Sequence, residues 1–156
     1  MSPTRAVETW TLTPLEEFVT EAGARLTLLM TPAGQVLAQY GFTRAVDVMA
    51  AAALGAAIFS STAEIAAMLK ERRFVSLNHQ GVRHGIFLGG FETRRGRLLA
   101  LVVYGPDSSL GLVQLFFEDL VAKLVEASPE KVERKPVLAA DFERELNQSL
   151  ASLFGR

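Results

Sequence analysis

Residues 48–59 read VMAAAALGAAIF, an unbroken apolar run with no polar face. As a helix such a run rises about 18 Å, short of the roughly 30 Å bilayer core that about 20 apolar residues are needed to cross. The N-terminal MSPTRAVETWTLTP has no basic start followed by an apolar stretch, so no secretory leader is expected. The chain therefore reads as cytoplasmic, without membrane insertion. Protein must bury the run on every side, and any fold has to supply two covers for it.

The chain can supply the first. Its 156 residues, 49% hydrophobic and 21% charged, fit one domain with an adequate core and an appendage. A formal net charge of -1 offers no basic face to neutralise phosphates, so no nucleic-acid partner is expected. With no cysteine in the sequence, disulfides, thiolate catalysis and cysteine-ligated zinc are excluded.

The punctuation predicts the elements around the run. Thr13-Pro14-Leu15-Glu16 reads as a capping box with proline at the first helical position, followed by Leu15, Phe18, Val19 and Ala22 at helical spacing and a stop at Gly23. Two strands, 25–31 and 35–41, follow around the turn Pro32-Ala33-Gly34. The apolar run then falls inside a helix predicted over 44–73, with Gly55 and Ser60-Ser61-Thr62 as possible kinks. Strands at 74–79, 84–93 and 97–104 come next, and Asp107-Ser108-Ser109 caps a helix carrying Val113, Phe116, Leu120, Val121 and Leu124. The order predicts an α+β fold with one five-stranded antiparallel sheet over residues 13–128.

A helix resting on that sheet buries only one side. Small side chains at Ala52, Gly55 and Ala56 would let a second helix approach closely, which predicts a self-association face there. The alternative, a helix wrapped entirely by its own domain, stays open at this point.

Chemical motifs are sparse. His79 and His84 flank a turn, yet no nearby acid completes a metal site with them, and neither metal nor cofactor is expected. Gly89-Gly90 falls within a strand and reads as a close approach of backbone rather than a phosphate loop. Ser109-Leu110-Gly111 lacks the elbow and partner histidine of a hydrolase, so no catalytic residue is assigned and a non-enzymatic role is expected. Arg94-Arg95-Gly96-Arg97 reads as a solvated hairpin tip.

Residues 129–140, charged and holding two prolines, read as a linker. Beyond it, over 141–155, Phe142, Leu146, Leu150, Leu153 and Phe154 make one stripe of an amphipathic helix closed by Gly155. Such a helix docks on its own domain or in a partner's groove.

The element order resembles the Roadblock/dynein light chain superfamily. The stretch Asp107-Ser108-Ser109-Leu110-Gly111-Leu112-Val113, the histidine and glycine of 74–81, and the ending Ser152-Leu153-Phe154-Gly155 resemble its bacterial MglB-like branch, partners of the Ras-like GTPase MglA. The resemblance implies a long helix on one face of the sheet and two helices on the other. It implies a homodimer with Ala52, Gly55, Ala56, Phe59, Phe74 and Leu77 at its interface. It further implies a GTPase lying across the twin helices at Ser60 and Glu64, and reached by the tail through Phe142, Leu146, Leu150, Leu153 and Phe154. The implied activity is stimulation of GTP hydrolysis without an arginine finger. Ala56-Ala57-Ile58 replaces a small-Gly-Asn run of relatives, and Glu64 stands where a small residue is usual. Two other classes compete: a scaffold or polarity adaptor recruiting its target through the tail helix, and a ligand sensor, for which the sequence singles out no converging polar groups.

Overall fold

The computed structural model describes residues 5–6, 8–41, 46–72, 74–130 and 135–153. Strand β1 (Arg5–Ala6) and a 3-10 turn (Thr9–Thr11) lead into α1 (Leu12–Ala22). Hairpin β2 (Leu26–Met30) and β3 (Val36–Gly41) precede α2 (Val48–Met68). Strands β4 (Ser76–Gln80), β5 (Gly85–Thr93) and β6 (Gly96–Tyr104) complete the sheet, followed by α3 (Leu110–Ala127) and α4 (Lys135–Leu153).

The sheet is antiparallel in the order β1-β3-β2-β6-β5-β4. Its five main strands are those the sequence predicts, and the two-residue β1 adds to the β3 edge. Every residue of β2 is buried, as is the run from Leu98 to Val102 in β6, because both faces of these central strands are covered. Alternation then sorts the side chains. Leu29, Phe87, Phe91, Leu98, Ala100 and Val102 meet α1 and α3. Leu26, Leu28, Met30, Leu88, Leu99 and Leu101 meet α2. Each fully buried side chain of this size contributes about 1.5–3 kcal/mol, so both layers matter to the fold.

Three element boundaries differ from expectation for physical reasons. The helix α1 does not start on a Thr13 capping box. The preceding 3-10 turn, where Thr11 Oγ1 donates to the Glu8 carbonyl (2.6 Å), starts the helix early. Pro14 then falls in the first turn, where its missing N–H has no intrahelical acceptor to lose. Gly23 closes α1 in the left-handed region at φ 65° as predicted.

The helix α2 is one uninterrupted element, capped by Asp47, whose carboxylate accepts from the Ala50 N–H (3.1 Å). Its hydroxyls cause no break, because Ser61 donates to the Ala57 carbonyl (2.9 Å) and Thr62 to that of Phe59 (2.8 Å). The predicted ends of this helix, Arg44 and Arg73, lie outside the described residues. The helix α4 opens at Lys135, inside the segment expected to be a linker. Pro136 sits in its first turn and is tolerated there. Residues 131–134, together with Phe154 and Gly155, lie outside the described residues.

Candidate interaction surface

The feature that stands apart is the outer side of α2. Ala52, Gly55, Ala56 and Ala66 are its buried residues. They face the sheet of the same chain, which corrects the expectation that Ala52, Gly55 and Ala56 are presented to a second molecule. A Cβ built on Gly55 would lie 3.6 Å from Met30 Cε and 3.7 Å from Leu88 Cδ1, so the small residues let α2 approach its own sheet closely. In a run that is apolar all round, hydrophobicity alone does not say which flank faces in. Side-chain size carries the signal.

The larger side chains point away. Leu54 is 66% exposed and Met68 82%, with Met49, Ile58 and Ile65 also exposed. At 3.6 residues per turn, Leu54, Ile58 and Ile65 fall along one flank, while Ala53, Ala57, Ser60 and Glu64 fall along the neighbouring one. The small flank leans toward the β2–β3 turn, since a Cβ on Gly34 would come 3.2 Å from the Ala53 Cα. The side carrying Gly55 and Phe59 leans toward β5, since a Cβ on Gly55 would lie 3.7 Å from Leu88 Cδ1 and one on Gly90 2.7 Å from Phe59 Cζ. The bulky flank next to it therefore falls on the β4 side of the sheet.

Over all 21 of its residues α2 is long and apolar enough to cross a membrane, so the length argument from residues 48–59 alone no longer excludes one. In this structure the helix lies on the sheet, where Ala52 and Ala56 pack among Leu28, Met30, Leu88 and Leu99.

Among the described residues β4 is an edge strand, with no strand paired on its outer side. Leu77 lies on it, half-buried and packed toward α2, while Val75 just before it is 70% exposed. The sequence reading missed what holds this edge. The Tyr104 hydroxyl donates to Asn78 Oδ1 (2.8 Å), with Gln80 Oε1 3.2 Å away, and so links β6 to β4 across β5. The link crosses Gly85, where a Cβ would come 2.2 Å from the Tyr104 ring. That glycine opposite a strand tyrosine was the available signal.

Phe59 and Phe74 do not lie on the bulky flank. Both line a cavity of about 340 Å³ between α2, the α2–β4 connection and β6, together with Ser60, Arg72, Arg97 and Leu99. Phe74 precedes β4 instead of opening it. The Arg97 guanidinium lies 5.5 Å from the centre of the Phe59 ring and donates to Glu92 (3.1 Å).

Ser60 and Glu64 are both exposed, one turn apart. On α4, Leu146, Leu150 and Leu153 are exposed along one stripe. Phe142 lies in the helix. His84 Nε2 accepts from Arg25 Nη1 (2.8 Å), and His79 stands exposed on β4. Among the described residues no group of three or more His, Asp or Glu side chains is placed to hold a metal ion.

Neither a protein-family profile nor a curated protein matches the sequence. Solved structures do. The gliding protein MglB of Thermus thermophilus is 27% identical, with a TM-score of 0.68 over 81% of this chain and 97% of that one. A structure described as MglB with a tetrameric arrangement is 26% identical, with a TM-score of 0.69 over 81% of this chain and 96% of that one. A Roadblock/LC7 domain from Streptomyces avermitilis shares the fold at 13% identity, with a TM-score of 0.62 over 71% of this chain and 91% of that one.

Proposed function

We propose that this chain, an MglB-like member of the Roadblock superfamily, is a homodimeric, non-enzymatic regulator of a small Ras-like GTPase of the MglA type. The observation that carries the reading is the division of the exposed side of α2 into two flanks. The bulky one, Leu54, Ile58 and Ile65, lies toward the open edge β4. Pairing that flank and that edge with a second copy removes two liabilities at once, an apolar stripe and an unpaired row of backbone groups. The tetrameric arrangement described for the MglB of 26% identity supports self-association of this fold.

The other flank stays on the outside of such a dimer. It offers Ser60 and Glu64 among small alanines, a shallow platform with one fixed negative charge from each copy. A GTPase on this platform is activated by steering its own catalytic residues, since phosphoryl transfer depends on positioning and charge stabilisation and the flank itself, Ala53, Ala57, Ser60 and Glu64, carries no arginine. The exposed stripe of α4, Leu146, Leu150 and Leu153, reaches a second surface of the same partner, as the sequence also suggests for Phe142 and Phe154.

Phosphate release by a Ras-like GTPase of the same organism, measured with and without the protein, tests this reading. Faster release is expected, and Ile58→Asp, which breaks the dimer, is expected to abolish it. No acceleration of any such GTPase overturns the activating role. Exposure of Leu146, Leu150 and Leu153 favours one second reading, an adaptor that recruits its target through α4 without affecting nucleotide turnover. Capture of the same target by isolated α4 regardless of nucleotide distinguishes it.

A further inference from the structure

The pair Gly89-Gly90 has no place in the reading above, and Gly90 leads to the cavity beside α2. A Cβ on Gly90 would come 2.7 Å from Arg97 Nη2 and 2.7 Å from Phe59 Cζ. The stacked guanidinium and ring thus occupy the space that a side chain at this position would fill. The sheet gives up a packing residue there, and what it gains is a charged aromatic wall held in place from two sides. Glu92 fixes the guanidinium by its Nη1, and the Phe59 ring fixes it by its face. The Arg97 side chain keeps 22% of its surface exposed, so its remaining donors border a partly enclosed space.

That space is the cavity of about 340 Å³. Leu99, Phe74 and the ring of Phe59 line it with Ser60 and Thr62, and among the described residues its lining holds two guanidinium groups, Arg72 and Arg97, the latter paired with Glu92 outside the lining. Arg72 is exposed and makes no ion pair among the described residues. An apolar chamber of this size with a few convergent polar groups is the usual form of a small-molecule site. Guanidinium groups in the lining, with free donors on their planar forks, specify an anionic end for the occupant.

We infer that this cavity binds a small amphipathic organic anion, a flat or aliphatic body seated between Phe59, Phe74 and Leu99 with its carboxylate, sulfonate or phosphate head held by Arg72 and Arg97. The inference stands apart from the GTPase reading, because its test involves no partner.

Calorimetric titration of the full chain with 2-naphthoate and with neutral 2-naphthalenemethanol, two probes of one shape, supplies the test. Naphthoate is expected to bind about tenfold tighter, the discrimination of one charge-assisted hydrogen bond. Arg97→Met and the exposed Arg72→Met are each expected to reduce that preference while the neutral probe binds as before. Ala63→Trp, which places an indole at the cavity lining, is expected to weaken both probes. Equal affinity of the wild type for the two probes, binding of neither, or naphthoate binding untouched by Ala63→Trp overturns the inference. Because Arg72 is exposed, its variant keeps the test decisive even if Arg97→Met does not fold.

Discussion

On one face of the sheet, α1 and α3 turn Leu15, Phe18, Val19 and Ala22, and Val113, Phe117, Leu120 and Leu124, inward, where they are buried. Apart from Leu112 and Leu115 near the start of α3, their outer sides carry charge, and Lys123 of α3 donates to Glu17 of α1 (2.7 Å). On the other face a single helix does the reverse. It buries alanine and glycine and exposes leucine, isoleucine and methionine. A helix of the first kind is complete once docked, because burial of its apolar stripe and hydration of its polar side are both satisfied. The α2 helix is only half complete, and its exposed Leu54, Ile58, Ile65 and Met68 gain little from the fold of one chain. The contrast singles out the outer side of α2 as the surface for the proposed self-association without reference to any relative.

The largest effect should separate the two sides of α2. Gly55→Arg drives a cation into the contact with Met30, Leu88 and Leu101, where no counter-charge is present, and is expected to abolish the cooperative unfolding transition. Leu54→Arg, one residue away, points outward. It is expected to leave the monomer's unfolding free energy within about 0.5 kcal/mol while halving the mass seen by light scattering. Were the two variants to behave alike, by both unfolding or both staying dimeric, the contrast between the flanks would be lost.

The same contrast explains what the sequence could and could not tell. The five main strands, the capping Ser109 and the stop at Gly23 rest on local rules of alternation, hydrogen-bonding side chains and glycine's access to positive φ. They were legible for that reason. That two helices share one face and α2 has the other followed from the resemblance and not from any periodicity. The orientation of α2 was illegible because twelve consecutive apolar residues carry no polar marker of direction, and the closeness that small residues allow is ambiguous between a sheet and a twin. The cavity and the Tyr104 link depend on contacts between residues far apart in the chain, such as Phe59 with Arg97 and Tyr104 with Asn78, which no single window contains.

A smaller effect sharpens the contrast at the sheet edge. Tyr104→Phe removes the donor shared by Asn78 and Gln80 and leaves the ring in place. The expected cost is about 0.5–1.5 kcal/mol, the usual net worth of a hydrogen bond. Its distribution is the sharper observation. Amides of β4 should exchange faster with solvent, whereas those of β2 and β6, in the middle of the sheet, should keep their protection. Uniform loss of protection would mean that the hydroxyl supports the whole core instead of the edge.

The smallest effect belongs to the completed face. The Glu17 carboxylate, accepting from Lys123 Nζ, raises the Lys123 ammonium above its ordinary value, helped by the charges of Glu21 and Asp119 and opposed by partial desolvation. The proton is thus held more tightly in the folded chain than in the unfolded one. A raised value of this kind contributes stability that is fully present below the unfolded pKa of about 10.4 and is lost as pH rises through the higher folded value. Both side chains are more than a third exposed, so solvent and salt screen the pair strongly. Lys123→Met, which keeps the aliphatic stem, should therefore lower the denaturant midpoint only slightly and by the same amount from pH 7 to pH 9, roughly, closing toward zero above about pH 10.4. Added salt should shrink the difference in the same neutral range. A difference that persists unchanged at alkaline pH and in added salt would show that the charge of the lysine is not what joins α1 to α3. The face that looks finished would then rest on packing alone.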